Sequence, residues 1–199
     1  MTKSASSEII TLPSPRLRGR RSLEETLTAR RSIRSFTDVS LTDAELSQLL
    51  WATQGMTHPS GRRTAPSAGA VYPLEVYVAQ ASGLWRYEPA QHRLVQSHNV
   101  DMRSSLHGVA LGQDALIEAP VVFVFTAVTA RMRAVYGGRA ERYVLMEVGH
   151  AAENLLLQAV SLDLGGVLIG AFNDDWLNKI LRLPRGEDTL YLVPIGHPR

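Results

Sequence analysis

Ala119-Pro120-Val121-Val122-Phe123-Val124-Phe125 is apolar at every position. Successive side chains of a strand point to opposite faces, so a strand written this way has to be covered on both sides. It reads as a buried strand of a sheet with helices packed against it. Upstream, Asp101 is placed to cap a helix reaching roughly Leu116. Downstream, the longest helical pattern runs from about Arg139 to Leu162.

Further out the signals alternate irregularly. Ser22 with Glu25 and Thr42 with Glu45 are capping boxes, the first opening a short helix that ends near Arg30. The second opens a helix with Leu46, Leu49 and Leu50 on one face and a stop at Gly55. A polar loop from His58 to Gly69 leads into the strand Pro73-Leu74-Glu75-Val76-Tyr77-Val78. Leu84–Tyr87 and Arg93–Val95 form a hairpin pattern, followed beyond the long helix by a short strand at Val167–Ile169, a helix from Asp174 and a last strand at Leu190–Ile195. Without strict βαβ alternation the chain is expected to be α+β, not doubly wound.

The chain has 199 residues, 45% of them hydrophobic, enough for a single domain over residues 22–199 with its own core. Cysteine is absent, which excludes thiolate nucleophiles, iron–sulfur clusters, cysteine-ligated zinc and disulfides. The first 21 residues hold Lys3, Arg16, Arg18, Arg20 and Arg21 against Glu8, a net of +4 in a chain of net +2. Together with Pro13 and Pro15 this reads as a flexible basic arm at 1–21. The body, at −2, lacks the footprint of a nucleic-acid binder. No apolar run is long enough to span a bilayer and the start lacks a secretory pattern, so the protein is expected to be soluble and cytoplasmic, with no membrane partner.

Three clusters stand out. In Arg30-Arg31-Ser32-Ile33-Arg34, Arg30 and Arg34 share a side in either backbone conformation, and Ser32 joins them only if the chain is extended. Two guanidiniums and a hydroxyl suit a phosphate dianion; a basic turn complementing the helix dipole is the alternative. Thr64-Ala65-Pro66-Ser67-Ala68-Gly69-Ala70-Val71-Tyr72-Pro73 offers small side chains that let a flat ring approach the backbone, or is an ordinary turn into the next strand. In Leu164-Gly165-Gly166-Val167-Leu168-Ile169-Gly170-Ala171-Phe172, Gly170 and Ala171 would present N–H groups at a strand end, where ligands tend to bind. No dinucleotide fingerprint, P-loop or G-x-S-x-G elbow occurs. Glu147 and His150 form one E-x-x-H half-motif; without a second copy a satisfied buried Glu–His pair is expected and no metal site.

Taken together, Arg31-Ser32-Ile33-Arg34-Ser35-Phe36, Leu49-Leu50-Trp51-Ala52-Thr53-Gln54-Gly55, Ala65 to Tyr77, and Glu147-Val148-Gly149-His150-Ala151-Ala152-Glu153-Asn154-Leu155-Leu156-Leu157-Gln158 resemble the FMN-dependent nitroreductase family, most nearly its SagB-type (azoline) dehydrogenase branch. The resemblance implies a nitroreductase-like α+β fold, a central mostly antiparallel sheet flanked by helices, and a homodimer packed around the helix at Arg139–Leu162. It implies FMN as cofactor, with Arg30, Arg31, Ser32 and Arg34 at the phosphate. Pro66, Ser67, Ala68 and Gly69 would line the ring from the partner subunit, and Ile169, Gly170 and Ala171 would face its N5 edge. NAD(P)H is implied as donor, with nitroaromatics or quinones as small acceptors. Oxidation of thiazoline or oxazoline rings in a modified peptide, or a flavin-free scaffold, are the alternatives. Where the azoline branch carries a lysine–tyrosine pair this chain has Val135-Tyr136, with Arg142-Tyr143 beyond, leaving Tyr136 and Tyr143 as the candidate catalytic side chains. Arg199 is a candidate to reach the phosphate from the C-terminus.

Overall fold

The computed structural model describes residues 8–199. Its sheet has seven strands, β1 (Ile9–Thr11), β2 (Leu74–Gln80), β3 (Gly83–Glu88), β4 (Arg93–His98), β5 (Val121–Ala127), β6 (Gly165–Gly166) and β7 (Asp188–Gly196). Their spatial order is β1-β4-β3-β2-β5-β7-β6 and every pairing is antiparallel. The all-apolar segment is β5, held between β2 and β7 and buried along its whole length. Val121, Phe123, Phe125 and Ala127 join one core; Val122 and Val124 join the other.

The first core is covered by α2 (Asp43–Gln54) and α6 (Ala140–Ser161), with Met132 of α5 (Thr129–Tyr136) between sheet and helix. The second is covered by α3 (Arg103–Val109), α4 (Ala115–Glu118) and α7 (Asp174–Leu181), through Leu106, Leu116 and Leu177. Helices on both faces of an antiparallel sheet make the α+β architecture the sequence predicts. Both capping boxes form, at Ser22 and Thr42. Residues 22–199 and the strand before them share these two cores.

Three local readings change. The helix expected from Asp101 to Leu116 is two, because Leu111 and Gly112 take left-handed conformations (φ 59° and 67°) that no α-helix accommodates. Asp101 accepts hydrogen bonds from the N–H and side chain of Arg103 instead of capping a long helix. The strand expected at Val167–Ile169 lies two residues earlier, as β6, and Ile169 makes only a single bridge, to Leu192. Helix α5 is additional, with one fully buried apolar residue and hence no periodicity to betray it.

The largest correction concerns the basic arm. Residues 1–7 lie outside the described residues, but from Ile9 the chain is part of the fold: β1 pairs with β4, Ile9 opposite Val95 and Thr11 opposite Arg93. Leu12 is only 6% exposed, within the first core. The carbonyl of Pro13 accepts from Ser47 Oγ at 2.5 Å, Ser47 Oγ lies 2.7 Å from His92 Nε2, and Tyr87 Oη lies 2.8 Å from His92 Nδ1. Burial lowers the pKa of His92, favouring the neutral ring that this clasp uses. A three-residue strand ahead of two prolines is too short to show periodicity in sequence. Leu12→Ala is expected to cost about 2–5 kcal/mol, the range for a buried leucine truncated in a packed core. Urea unfolding measures it, and an unchanged midpoint would mean that the segment is a free arm after all.

Candidate active site

The first candidate cluster starts where α1 (Leu23–Ala29) ends. Arg30 leaves helical geometry (φ −56°, ψ 126°), Ser32 bridges in parallel to Gly166, and Phe36 bridges to Pro198. The chain is therefore extended, and alternation places Arg30, Ser32 and Arg34 on one side with Ile33 on the other. Ile33 donates its N–H to the carbonyl of Gly166 at 3.0 Å. Ser32 and Arg34 are exposed, and Arg34 forms no ion pair among the described residues. Arg30 Nε stands 3.4 Å from Glu153 Oε1, a loose, half-exposed pairing.

Two neighbours behave differently. Arg31 turns back, its Nη1 donating to the carbonyls of Thr28 at 3.0 Å and Arg30 at 2.7 Å, so it satisfies the end of α1. Arg199 approaches Glu118 (3.8 Å), and its N–H donates to the Ser35 carbonyl at 3.3 Å. Ser35 alternates away from Arg34, and its hydroxyl also engages Glu118. This ties Arg199 to the side opposite the Arg30–Ser32–Arg34 row.

One glycine lets this row lie against the sheet, and a second lets β6 lie close against β7. A Cβ at Gly165 would sit 2.6 Å from Ile33 Cγ1, and one at Gly166 would sit 2.3 Å from Ile195 Cδ1. Gly165→Ala is expected to push Ile33 outward, cost about 1–3 kcal/mol as overpacking does, and misalign the arginines. Thermal unfolding checks the stability, and wild-type stability in the variant would show that Ile33 has room to move.

Beyond β6, Ile169 is buried and exchanges both backbone hydrogen bonds with Leu192 at 2.9 Å, which leaves it nothing to offer a ligand. Gly170 and Ala171 are exposed, and neither N–H has an acceptor among the described residues. Open amides at the end of a sheet segment are the feature sought there.

The second cluster forms around residues 63–72. Gly69, Ala70 and Tyr72 all have positive φ (60°, 54° and 51°), roughly 1 kcal/mol or more of strain at each of the two that carry a Cβ. The turn is held by Tyr72 N–H donating to Ser67 Oγ at 2.9 Å and by Arg63 N–H donating to Tyr72 Oη at 3.0 Å. The Arg63 guanidinium lies over the Tyr72 ring, 4.5 Å from its centroid, and donates to Gln54 Oε1 at 3.0 Å. Tyr136, at the end of α5, meets Tyr143 of α6 edge-on with centroids 5.0 Å apart. A Cβ on Gly69 would come within 2.6 Å of the Tyr136 hydroxyl, so this glycine is what allows the tyrosine to close over the turn. Pro66, Ser67, Ala68, Gly69, Tyr136 and Tyr143 are thereby brought together. No hydrogen bond, ion pair or bridge joins them to the Arg30 cluster among the described residues.

Glu147 stands one turn after Tyr143 and is 3% exposed. Ser67 lies beside it, yet neither carboxyl oxygen completes a hydrogen bond among the described residues. Burial pushes its pKa up to about 7, against the opposing pull of Ser67 and Arg63. The buried Glu–His pair expected from sequence is not formed, since His150 faces outward. Glu147 and Arg63 are the polar side chains that sequence reasoning did not place in this cluster. The available signal was an acid on the face of α6 that also carries Val144, Val148 and Ala151.

The Nitroreductase family model matches residues 27–197. The chain belongs to the nitroreductase family. It is 42% identical over 180 residues to a protein of Methanocaldococcus jannaschii that bears the nitroreductase name, covering 87% of this chain and 90% of that one. A nitroreductase structure from Ralstonia eutropha superposes with a TM-score of 0.88 at 35% identity, covering all of this chain and 92% of the other. The NADPH:FMN oxidoreductase of Vibrio harveyi shares the fold alone, with a TM-score of 0.68 at 24% identity over 88% of this chain and 68% of that one. Membership makes this chain an oxidoreductase of the nitroreductase family. Among its described residues no helix is long and apolar enough to cross a membrane.

Proposed function

We propose that this nitroreductase-family protein binds FMN and passes electrons from NAD(P)H to a small acceptor such as a nitroaromatic or a quinone. The observation that carries the reading is the row Arg30–Ser32–Arg34 on one side of an extended segment, laid against β6 where Gly165 leaves no room for a Cβ beside Ile33. A phosphate dianion fits it, because two cations and a hydroxyl project together and Arg34 is uncommitted among the described residues. The open amides of Gly170 and Ala171 offer donors to a polar ring edge, and small residues at 66–69 leave room for a flat ring. Bound there, FMN supplies hydride and single-electron chemistry, while the protein supplies position and polarity.

The two clusters become one site in a homodimer. Leu145 (61% exposed), Met146 (46%), Gly149 and His150 form an uncovered stripe on α6, and Leu23 and Leu27 of α1 are exposed as well. An apolar stripe on the longest helix is suited to burial against a second copy. Residues 66–69 of the partner subunit would then face the ring held by Arg30, Ser32 and Arg34. In that arrangement Gly170 and Ala171 donate hydrogen bonds where negative charge develops on the reduced ring. Tyr136 and Tyr143 bound the substrate side, with a hydroxyl able to give or take a proton at the acceptor.

A dehydrogenase acting on azoline rings of a modified peptide is the second reading, favoured by the four motifs of that branch. Val135 stands where its lysine would be, which weighs toward the small-acceptor reading. Anaerobic addition of NADPH or NADH to FMN-loaded protein, followed by a nitroaromatic, separates the two. Flavin bands that bleach with a nicotinamide and return with the acceptor support the reductase. Bands indifferent to both nicotinamides but bleached by an azoline peptide overturn it in favour of the dehydrogenase, and failure to bind FMN overturns both.

A further inference from the structure

Helix α6 carries a seam that has the same spacing read from either end. Arg142, Met146, Gly149 and Glu153 follow one another at intervals of four, three and four residues. At 3.6 residues per turn these four positions fall within roughly 60° of arc. Alternating steps of three and four are the spacing by which two helices pair. Arg142, Met146 and Gly149 are exposed, and Glu153 is partly so. Gly149 has no use within its own chain, since a Cβ there would meet nothing within 4 Å and glycine inside a helix is destabilising relative to alanine. Close approach by a second helix would use the space it leaves. The charges at the two ends of the seam are also incompletely matched. Arg142 makes no ion pair among the described residues, and Glu153 has only its loose contact with Arg30, 3.4 Å from Nε.

We propose that in the homodimer Arg142 of each copy pairs with Glu153 of the partner subunit, and that this exchange of partners frees Arg30 for the phosphate. The proposal rests on the flavin and dimer reading above. A two-fold axis joins the same surface of both copies, so that where one residue meets a second, the second also meets the first. Passed through the midpoint of the seam, between Glu147 and Val148, the axis sets the two helices antiparallel. Met146 then lies against the partner subunit's Gly149, a long side chain over an absent one, and Arg142 lies against Glu153 of the partner subunit, charge against opposite charge. Within one copy, Arg30 is the only cation within ion-pair distance of Glu153 among the described residues. A carboxylate there occupies one of the two arginines of the phosphate row and repels a phosphate dianion. Once Arg142 of the second copy takes Glu153, both effects are removed. The second copy thus completes the site twice, by bringing the 66–69 loop to the ring and by clearing the phosphate row.

The test first measures dimerisation by sedimentation in wild type, Arg142→Glu, Glu153→Arg and the protein carrying both reversals. Each single reversal sets like charges together twice per dimer and is expected to weaken dimerisation by roughly tenfold or more. The double reversal recreates the pair with its charges exchanged and is expected to return to within a few-fold of wild type. The two positions lie roughly 16 Å apart along one helix, so such a rescue cannot arise within one copy. Single reversals that dimerise like wild type, or a double reversal no better than the singles, overturn the pairing. The release of Arg30 is then read from FMN affinity in Arg142→Gln and in Arg142→Gln combined with Glu153→Gln, at concentrations where sedimentation shows dimers. Arg142→Gln is expected to bind FMN several-fold more weakly than wild type, because Glu153 returns to Arg30, and the added Glu153→Gln is expected to restore binding. An unchanged affinity in Arg142→Gln, or a loss that Glu153→Gln does not relieve, overturns the release. Wild type that dimerises without binding FMN overturns the flavin reading and the release with it but leaves the pairing standing, whereas wild type that stays monomeric at every concentration overturns the dimer reading and the whole proposal.

Discussion

Replacing Arg30 and Arg34 together by alanine is expected to lower FMN affinity by roughly two to four orders of magnitude and to yield colourless protein after purification. Hydrogen bonds to charged groups contribute about 1.5–3 kcal/mol each, and every 1.4 kcal/mol is tenfold in affinity. Two such contacts to a phosphate account for the range. Neither arginine is buried in the core, so folding should survive. Arg31→Ala is the internal control, because Arg31 is committed to the carbonyls of Thr28 and Arg30 and is expected to change affinity little. Fluorescence quenching of FMN on titration with flavin-free protein measures all three. Equal losses from Arg31→Ala and from Arg30→Ala would mean that net charge, and not the extended row, is what the cofactor senses.

The second large effect is on stability. An unfolded glutamate titrates near 4.5, whereas burial holds Glu147 near 7 in the folded protein. Below about pH 4.5 the group is neutral in both states and costs the fold nothing through ionisation. As pH rises toward 7 the unfolded chain releases this proton and the folded one retains it, so stability falls until both states are ionised. The loss levels off above pH 7 at about 3 kcal/mol, from roughly 1.4 kcal/mol per pKa unit. Glu147→Gln removes this term and is expected to be more stable than wild type by about that amount near pH 8, with no difference near pH 4. Urea unfolding at the two pH values reads it directly. Wild type and variant responding to pH in parallel would show that Glu147 ionises as freely when folded as when unfolded.

Much of the fold was legible because its central strand is unusual. Val121–Phe125 is apolar on both faces and sits between β2 and β7 with helices on either side. The capping boxes at Ser22 and Thr42 and the long helix after Arg139 were equally plain, since each depends on residues only a few positions apart. What escaped depends on distant pairing or on backbone conformation. Strand β1 is defined by β4, more than eighty residues later. The break between α3 and α4 rests on Leu111 taking a conformation that leucine ordinarily avoids. At the candidate site, the spacing of Arg30, Ser32 and Arg34 left helical and extended geometry open, and the bridge from Ser32 to Gly166 settles it as extended. Arg31 and Ile169 share their neighbours' motifs, yet one is spent on a helix end and the other on a bridge. Glu147 was visible only as half of a pair with His150, because the loop that meets it lies far away in sequence.

In the proposed dimer of this 21.9 kDa chain each of two FMN molecules is held by the Arg30 row of one copy and the 66–69 loop of the other. Sedimentation of FMN-loaded protein, followed at a flavin wavelength and at a protein wavelength, tests it most directly. A single boundary at twice the chain mass carrying one FMN per chain is expected. Flavin travelling in full stoichiometry with a monomer would contradict it.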